Sequence, residues 1–347
     1  MHRLTLLHPI DPRGSKVGGI ETHVRLMYER RPADFSVLLV GIDERGDLEL
    51  GKPVRLPAGD GTIDFLPVAH IPDAEIHSAA KRLHQSVTLR FALGALRHLG
   101  TIRRLGAGRA ATTELQRFEF AAIGRMIGRP VLQIVHGEGS RKDQMDSLIR
   151  RFWYLNLANE RLALSLADRI VCVNANIIER LRRIAPSFAA KSELLTVSVD
   201  MDRFSASPFP PADPFRIVFA GRLDAFKDPA LMFETLKRVH AGLGGRLEFH
   251  YVGTSDPHRY AEFAAIEPFT IRHGFKDSAG VAEIMAASHA GILTSFFEGM
   301  PCYLLELLAS GRPIGALRLP QFDPLVVDGE SGFLIDRGED AAETADR

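Results

Sequence analysis

Apolar runs of strand length recur along the chain and alternate with segments whose apolar residues follow the helical period. The runs are rich in Val, Ile and Leu and show little polar alternation, which is typical of strands covered on both faces. Regular alternation of such strands with helices predicts parallel sheets. The runs are RLTLLHP, SVLLVG, TIDFLPV, AATTE, PVLQIVH, DRIVCVN and ELLTVSV before residue 205, and FRIVFAG, RLEFHYVG, FTIRHGF, HAGILTS, RPIGAL and GFLID after it.

The proline-rich segment SASPFPPADP, residues 205–214, divides these two sets of runs. Its four prolines favour an extended linker over a helix or a strand. A length of 347 residues also favours two domains over one. We therefore predict an α/β fold with two tandem Rossmann-like domains, 1–205 and 206–347. Such sheets bind ligands at the carboxyl ends of their strands, so we expect an interdomain cleft to hold the functional site.

Composition excludes several classes of protein. With 46% hydrophobic, 25% charged and 8% aromatic residues, the chain is neither disordered nor fibrous. No apolar run reaches the roughly 18 residues that a membrane span needs, and the amino-terminal apolar stretch is too short for a signal peptide. The two cysteines, Cys172 and Cys302, lie in apolar contexts without a CxxC motif. We expect a reducing compartment such as the cytoplasm, and no structural zinc.

Charge is distributed unevenly although the net charge is zero. Residues 1–205 carry 30 Lys and Arg against 23 Asp and Glu, whereas residues 206–347 carry 13 against 20. Residues 81–104 hold six cations and no acid, and residues 141–157 add the aromatic run Phe152, Trp153 and Tyr154. Two interpretations stay open. These segments are either ordinary helices packed on the first sheet or basic amphipathic helices that contact an anionic membrane.

Two motifs follow predicted strands of the first half. Gly18 and Gly19 precede a segment of helical spacing, where open backbone N–H groups and the helix dipole can hold an anion. The alternative is a tight strand-to-helix turn. His136 follows the strand PVLQIVH and precedes Gly137, which places an imidazole at a strand's carboxyl end. The alternative there is a histidine with a structural role only.

A basic loop follows the strand FRIVFAG in the second half. Arg222 and Lys227 both lie between this strand and the next predicted helix. Cations beside helix N–H groups form a suitable site for a diphosphate. The alternative is a pair of isolated surface cations.

The segment SFFEGMPCYLLELLASG contains the most specific motif. Pro301 suits a helix start, so Glu298, Gly299 and Met300 are predicted to lie in the preceding loop. Glu306 then falls within an apolar helix, where a carboxylate requires partners such as ligand hydroxyls. The alternative is a helix with an incidental glutamate.

Together these motifs resemble the retaining glycosyltransferases of family 4, which have the GT-B fold. Gly18-Gly19, His136-Gly137, Gly221-Arg222 with Lys227, and Glu298 with Glu306 occur in the order seen in that family. The segment VDMDRF, residues 199–204, also resembles the end of the first domain in that family. The resemblance covers nearly the whole chain.

The resemblance implies a role for each motif. The second domain would hold a UDP- or GDP-activated sugar, and the first would hold a glycan or lipid-linked acceptor. Arg222 and Lys227 would bind the donor diphosphate without a metal. Glu306 would bind the nucleotide ribose, whereas Glu298 with Gly299, Met300 and Pro301 would contact the donor. Gly18 and Gly19 would close over the phosphates, and His136 would contact sugar hydroxyls near the anomeric carbon.

The remaining expectations concern the carboxyl-terminal end of the chain and the function of the protein. The chain ends eleven residues after Asp336, before the carboxyl-terminal helices usual in GT-B enzymes, so we expect either a shortened second domain or a fragment of a longer chain. The leading hypothesis is a metal-independent, retaining hexosyltransferase of polysaccharide biosynthesis, cytoplasmic or peripheral at the inner face of the plasma membrane. It needs no cofactor and binds no nucleic acid. The alternative is a catalytically silent module that binds nucleotide sugars.

Overall fold

The structure is a computed structural model that describes residues 2–14, 18–76, 85–137 and 153–336. The chain divides into two compact units between Thr196 and Val197. Each unit is an α/β domain built on a parallel sheet, so the predicted fold class is confirmed. Each predicted apolar run overlaps with a strand.

The first domain contains an eight-stranded sheet in the order β3-β4-β2-β1-β5-β6-β7-β8. Its strands are β1 (His2–Leu7), β2 (Phe35–Asp43), β3 (Val54–Ala58), β4 (Gly61–His70), β5 (Thr112–Leu115), β6 (Val131–Val135), β7 (Arg169–Cys172) and β8 (Ser192–Leu194). The described helices are α1 (Gly19–Glu29), α2 (Asp73–Ile76), α3 (Val87–Arg97), α4 (Leu99–Leu105), α5 (Ala121–Ile127), α6 (Trp153–Leu166), α7 (Ala175–Ile184) and α8 (Pro186–Ala189).

One strand of this sheet was not predicted from the sequence. Strand β3 pairs antiparallel with β4 at the sheet edge, joined by a tight turn in which Gly59 has φ +57°. Alternate residues of β3 are more exposed, so the segment lacks the continuous apolar run by which the other strands were found. It contains Pro57, which an edge strand tolerates because one side of it needs no hydrogen-bond donor.

The second domain contains a six-stranded parallel sheet in the order β11-β10-β9-β12-β13-β14. Its strands are β9 (Phe215–Ala220), β10 (Leu247–Val252), β11 (Thr270–Gly274), β12 (Ala290–Leu293), β13 (Ile314–Leu317) and β14 (Gly332–Ile335). Its longer helices are α9 (Pro229–Gly242), α10 (Ser278–Ala286) and α11 (Cys302–Ala309). The core between sheet and helices is apolar and includes Phe219, Phe233, Phe249 and Leu304.

The proline-rich linker contains neither helix nor strand over residues 205–214 and is held against the second domain by Arg312. The buried guanidinium donates to the backbone oxygens of Ser207, Pro208 and Ala286 at 2.8, 2.9 and 2.7 Å. Phe204, directly before the linker, lies in the core of the second domain. The chain therefore joins this core before residue 205. The domain limits 1–205 and 206–347 stay a prediction.

Candidate functional site

Two loops meet at the carboxyl ends of β9 and β12, which are neighbours in the second sheet. The sheet continues to β10 on one side of this pair and to β13 on the other, so it is a topological switch point, where open α/β sheets bind ligands. Residues 221–228 follow β9, and residues 294–301 follow β12. The amide of Phe296 donates to the Phe226 carbonyl oxygen at 3.0 Å, and Thr294 Oγ1 donates to the Lys227 carbonyl oxygen at 2.7 Å.

This contact brings two predicted site residues together. Lys227 Nζ donates to Glu298 Oε1 at 2.7 Å, and Ser295 Oγ donates to the same oxygen at 2.8 Å. The Lys227 ammonium also lies 5.8 and 5.4 Å from the ring centres of Phe219 and Phe226, within cation–π range. Both charged side chains are largely buried. Among the described residues, nothing donates a hydrogen bond to Glu298 Oε2, so this oxygen can accept one from a ligand.

The second predicted cation of the loop is more exposed. Arg222 forms a two-pronged pair with Asp224, with Nε and one terminal nitrogen at 3.0 and 2.9 Å from the same carboxylate oxygen. An exposed ion pair contributes about 1 kcal/mol or less, so the guanidinium can change partners at little cost. Gly221 begins this turn with φ +153°, a conformation that side-chain-bearing residues rarely adopt.

Glu306 is the fifth residue of α11, with its carboxylate more than one turn inside the helix as predicted. Burial raises the pKa of this carboxyl to about 7, and the nearby charge of Arg203 acts in the opposite direction. No hydrogen bond to the Glu306 carboxylate occurs among the described residues. Arg203 in turn pairs with the buried Asp200 at 3.6 Å. A carboxyl close to half ionised at neutral pH is suited to accept hydrogen bonds from ligand hydroxyls.

The remaining donor-site candidates lie where the β12 loop enters α11. Pro301 is buried in the extended position before the first helical residue, and its own side chain makes no capping hydrogen bond. Gly299 and Met300 precede it and are half-buried. The loop is held from the other side by Gln321, whose Nε2 donates to the Glu298 carbonyl oxygen at 2.5 Å.

In the first domain, Gly18 and Gly19 lie at the amino-terminal end of α1, as predicted. Gly18 is the residue before the helix and is extended, with φ −174° and ψ +167°. Gly18 itself has no side chain that could cap the helix. A Cβ atom at Gly18 would lie 2.5 Å from Glu21 Oε2, so even alanine would require Glu21 to move. Residues 15–17, which precede the two glycines, lie outside the described residues.

His136 follows β6 and belongs to a cluster of buried polar side chains. Its Nε2 lies 2.5 Å from Gln116 Oε1, and Gln116 Nε2 donates to Glu114 Oε1 at 2.5 Å. The ring of His23, from α1, meets the His136 ring edge-on with 5.6 Å between centres. His8, which follows β1, contacts Glu21 at 3.3 Å on the same side. The cluster lies at the switch point of this sheet, where β1 and β5 are neighbours.

Burial controls the charge of this cluster. It lowers the pKa of His136 to about 3, an effect reinforced by His23 and His8, and it lowers the pKa of His23 to about 4. Both imidazoles are therefore neutral at physiological pH. Burial raises the pKa of Glu114 to about 7, partly offset by the hydrogen bond from Gln116.

Sequence reasoning missed His23, Glu114, Gln116 and Arg203. Gln116 and Glu114 carried a usable signal, because a glutamate inside a predicted strand and a polar residue directly after it mark the ligand-binding edge of a parallel sheet. His23 had a weaker signal, one helical turn after Gly19. Nothing in the sequence indicated that Arg203 approaches Glu306.

The basic segment 81–104 is described from residue 85 onward. Phe91 and Ala95 of α3 are buried, so this helix does pack on the sheet. Its opposite face exposes Leu89, Leu93 and Leu96 at 39, 57 and 42% beside Arg97. A groove of about 520 Å³ along α3 is lined in part by Arg90, Arg97 and His98, and it shares no residue with the predicted sites. Residues 138–152, which include most of the second basic segment, lie outside the described residues.

Within the described ranges, no helix has the length and apolarity of a membrane span. Within the same ranges, no three His, Cys, Asp or Glu side chains are grouped so as to hold a metal ion.

Solved structures of other proteins share this fold. Sucrose-phosphate synthase from Thermosynechococcus elongatus superposes with a TM-score of 0.72 over 98% of this chain and 87% of that one, at 18% identity. Anabaena HepE, solved with UDP and glucose, gives a TM-score of 0.68 over 99% of this chain and 88% of that one, at 15% identity. These identities establish the fold alone. The chain has two parallel-sheet domains that resemble those of GT-B glycosyltransferases.

Sequence comparison adds a narrower similarity. Residues 214–347 match the family model "Glycosyl transferases group 1". The D-inositol 3-phosphate glycosyltransferase of Geodermatophilus obscurus is 26% identical over 209 residues. This match spans 54% of this chain and 46% of that relative, so it covers less than half of the relative's length. The family match includes Arg222, Lys227, Glu298 and Glu306.

Proposed function

We propose that the chain is a retaining glycosyltransferase that moves a hexose from a UDP- or GDP-sugar to a glycan or lipid-linked acceptor. The observation that carries this proposal is the contact of Lys227 with Glu298 at the switch point of the second sheet. It joins two loops within the region that matches the glycosyl transferases group 1 model. These loops offer Lys227 and Arg222 for a diphosphate and Glu298 for sugar hydroxyls. The helix that follows, α11, offers Glu306 for ribose hydroxyls.

The proposed roles follow from the charge of each group. Departure of a nucleoside diphosphate builds negative charge on its oxygens, and prepositioned cations stabilise that charge most directly. Lys227 and Arg222 supply them. The backbone N–H groups at the start of α11, after Gly299, Met300 and Pro301, add a helix dipole oriented toward an anion. We assign the leaving-group role to these groups rather than to a metal.

The two carboxylates have different roles in this proposal. Glu298 Oε2 accepts a hydrogen bond from a donor-sugar hydroxyl while Oε1 holds Lys227. Glu306 accepts hydrogen bonds from the ribose hydroxyls, which compensates the burial that raises its pKa. In the first domain, Gly18 and Gly19 approach the phosphates and His136 contacts sugar hydroxyls near the anomeric carbon. The acceptor attacks the face that the diphosphate leaves, and the leaving phosphate takes its proton.

A membrane-associated acceptor is the second part of the proposal. The apolar face of α3, formed by Leu89, Leu93 and Leu96, is exposed beside Arg97. Arg97 and these leucines form a basic amphipathic surface of the kind that binds anionic lipid, whereas Arg90 of the same helix is paired with Glu75 of α2. We propose a peripheral contact at the inner face of the plasma membrane, which would bring a lipid-linked acceptor to the first domain.

The test is hydrolysis of UDP-, GDP- and ADP-sugars without acceptor, in the presence and absence of EDTA. We expect one donor to be hydrolysed at a rate that EDTA leaves unchanged, with the first-formed sugar in the donor's anomeric configuration by NMR. Loss of activity with EDTA would reject the metal-independent assignment, and inversion would reject retention. Tight binding of a nucleotide sugar without any turnover, even with added glycan acceptors, would identify a silent binding module instead.

A further inference from the structure

A hydrogen-bonded chain of three side chains ends on His136 in the first domain. Glu114 lies in β5, Gln116 follows β5, and His136 follows the adjacent strand β6. The carboxyl and the amide are almost completely buried, at 1 and 4% exposure. Both links of the chain measure 2.5 Å between donor and acceptor atoms.

The direction of these hydrogen bonds follows from the chemistry of the groups. The ionised carboxylate of Glu114 can only accept, so the amide nitrogen of Gln116 faces Glu114 Oε1 and donates to it. Gln116 Oε1 is therefore the atom that faces His136, and a carbonyl oxygen can only accept. The Nε2 atom of His136 must then carry the hydrogen.

The other ring nitrogen of His136 is Nδ1. A neutral imidazole has one N–H group, so Nδ1 of His136 carries a lone pair. No hydrogen bond to this atom occurs among the described residues. Of the groups around the ring, His23 lies edge-on at 5.6 Å between ring centres, and neither it nor His8 or Glu21 makes a hydrogen bond to His136 among the described residues.

We propose that Glu114 and Gln116 are positioning residues that hold His136 as the Nε2–H tautomer and present Nδ1 as a hydrogen-bond acceptor. The ligand group that meets His136 must then be a donor. A sugar hydroxyl satisfies this requirement, whereas a phosphate oxygen does not. The inference rests on the proposed function only for the identity of the hydroxyl-bearing ligand.

The tautomer can be tested without substrate. We expect long-range ¹H–¹⁵N correlation spectra of the full chain to show a protonated Nε2 and an unprotonated Nδ1 on His136. Gln116→Met keeps a side chain of similar length but removes the acceptor, so both tautomers should appear. Glu114→Gln retains an oxygen that accepts from Gln116, and its spectrum should match that of the wild type. An Nδ1–H tautomer in the wild type, or an unchanged tautomer in Gln116→Met, would overturn the proposal.

Activity provides the second readout. Partners that orient metal-bound histidines change affinity or activity by about 10- to 100-fold when removed, and we expect an effect of this size at His136. For donor hydrolysis we expect Gln116→Met to lower kcat by about 10- to 100-fold with KM within threefold of wild type. The single variant Glu114→Gln should keep most of the wild-type kcat. Equal kcat in wild type and Gln116→Met would overturn the positioning role. The expected tautomers in a protein that hydrolyses no donor would support the positioning assignment and reject the proposed function instead.

Discussion

Lys227 Nζ lies 2.7 Å from Glu298 Oε1, although 71 positions separate the two residues in sequence. The ion pair with Glu298 holds the Lys227 ammonium at the carboxyl edge of the second sheet, so that an anionic ligand is not needed to place it there. An arriving diphosphate therefore meets a cation whose position is already restricted by the carboxylate and by two aromatic rings. Lys227, whose charge would stabilise the leaving group, is therefore bound to the same carboxylate whose other oxygen, Oε2, would bind the sugar.

Removing either cation of the second domain should impair turnover. Loss of one charged contact to a developing anion costs about 100- to 1000-fold in rate. We expect Lys227→Ala and Arg222→Ala each to lower transfer by about this factor with the fold retained. Lys237→Ala is the matched control, because Lys237 is an exposed lysine whose partner among the described residues is Glu234 on α9. Rates within threefold of wild type for both test variants would refute the leaving-group role.

Glu306 should govern binding of the nucleotide itself. We expect Glu306→Gln to weaken binding of free nucleoside diphosphate by about 1 to 3 kcal/mol, the scale of charged hydrogen bonds. Glu298→Gln should largely spare it. Ribose hydroxyls favour the ionised carboxylate, so binding should lower the raised pKa of about 7 and release a proton near pH 6.

Calorimetry in buffers of different ionisation enthalpy measures both effects. The proton release should disappear in Glu306→Gln and persist in Glu298→Gln. The reverse pattern would exchange the roles of the two glutamates.

The buried histidines should make the first domain sensitive to acid. His23 has a folded pKa of about 4, below its ordinary value of 6.5, so the folded state binds fewer protons than the unfolded state. This contribution to stability is complete above pH 6.5 and is lost as the pH falls toward 4. Between pH 7 and pH 5, His23→Phe should therefore gain about 2 kcal/mol relative to wild type in the free energy of unfolding.

Urea denaturation at the two pH values checks this expectation. His258→Gln is the control, because Asp256 and Glu267 raise the pKa of this exposed histidine, which gives the opposite sign. If wild type and His23→Phe differ by the same free energy of unfolding at pH 7 and pH 5, then folding does not lower the pKa of His23.

Arg312 should determine how firmly the proline-rich linker is held. Arg312→Leu removes the charged donor of the hydrogen bonds to the carbonyl groups of Ser207, Pro208 and Ala286, and a hydrogen bond from a charged group contributes about 1.5 to 3 kcal/mol. Arg312→Lys keeps the charge but lacks the fork that reaches all three.

We expect thermolysin to cleave near Phe209 rapidly in Arg312→Leu, at an intermediate rate in Arg312→Lys and slowly in wild type. Arg246→Ala removes an exposed guanidinium that, within the described part of the chain, bonds to the Leu243 carbonyl, and this variant should be cleaved as the wild type is. Equal cleavage in all four proteins would show that other contacts hold the linker.

The exposed face of α3 should bind anionic membranes. We expect the protein to sediment with vesicles rich in anionic lipid at low salt and to be released as salt rises, because screening shortens the reach of surface charge. Leu93→Ser with Arg97→Ser should weaken sedimentation and leave donor hydrolysis unchanged. Phe275→Ser with Arg272→Ser, a matched change in the second domain, should have no effect. Wild-type protein that stays in the supernatant at low salt would indicate a soluble acceptor.

Local patterns predicted most of the fold. Continuous Val, Ile and Leu runs locate the parallel strands, and Pro301 locates the start of α11, because these signals depend on neighbouring residues only. The same reasoning placed Lys227 and Glu298 in loops after strands. It could not predict β3, whose half-exposed residues resemble a loop until the strand pairs with β4.

The sequence by itself determined which residues follow strands and which enter helices, because periodicity and turn chemistry are encoded within a few positions. Only the tertiary structure decided which of them meet. The order of strands in each sheet brings Lys227 to Glu298, Gln116 to His136 and Arg203 near Glu306. Burial then sets their charge, since desolvation keeps His136 neutral and raises the pKa of Glu306, and desolvation depends on the packed core rather than on local sequence.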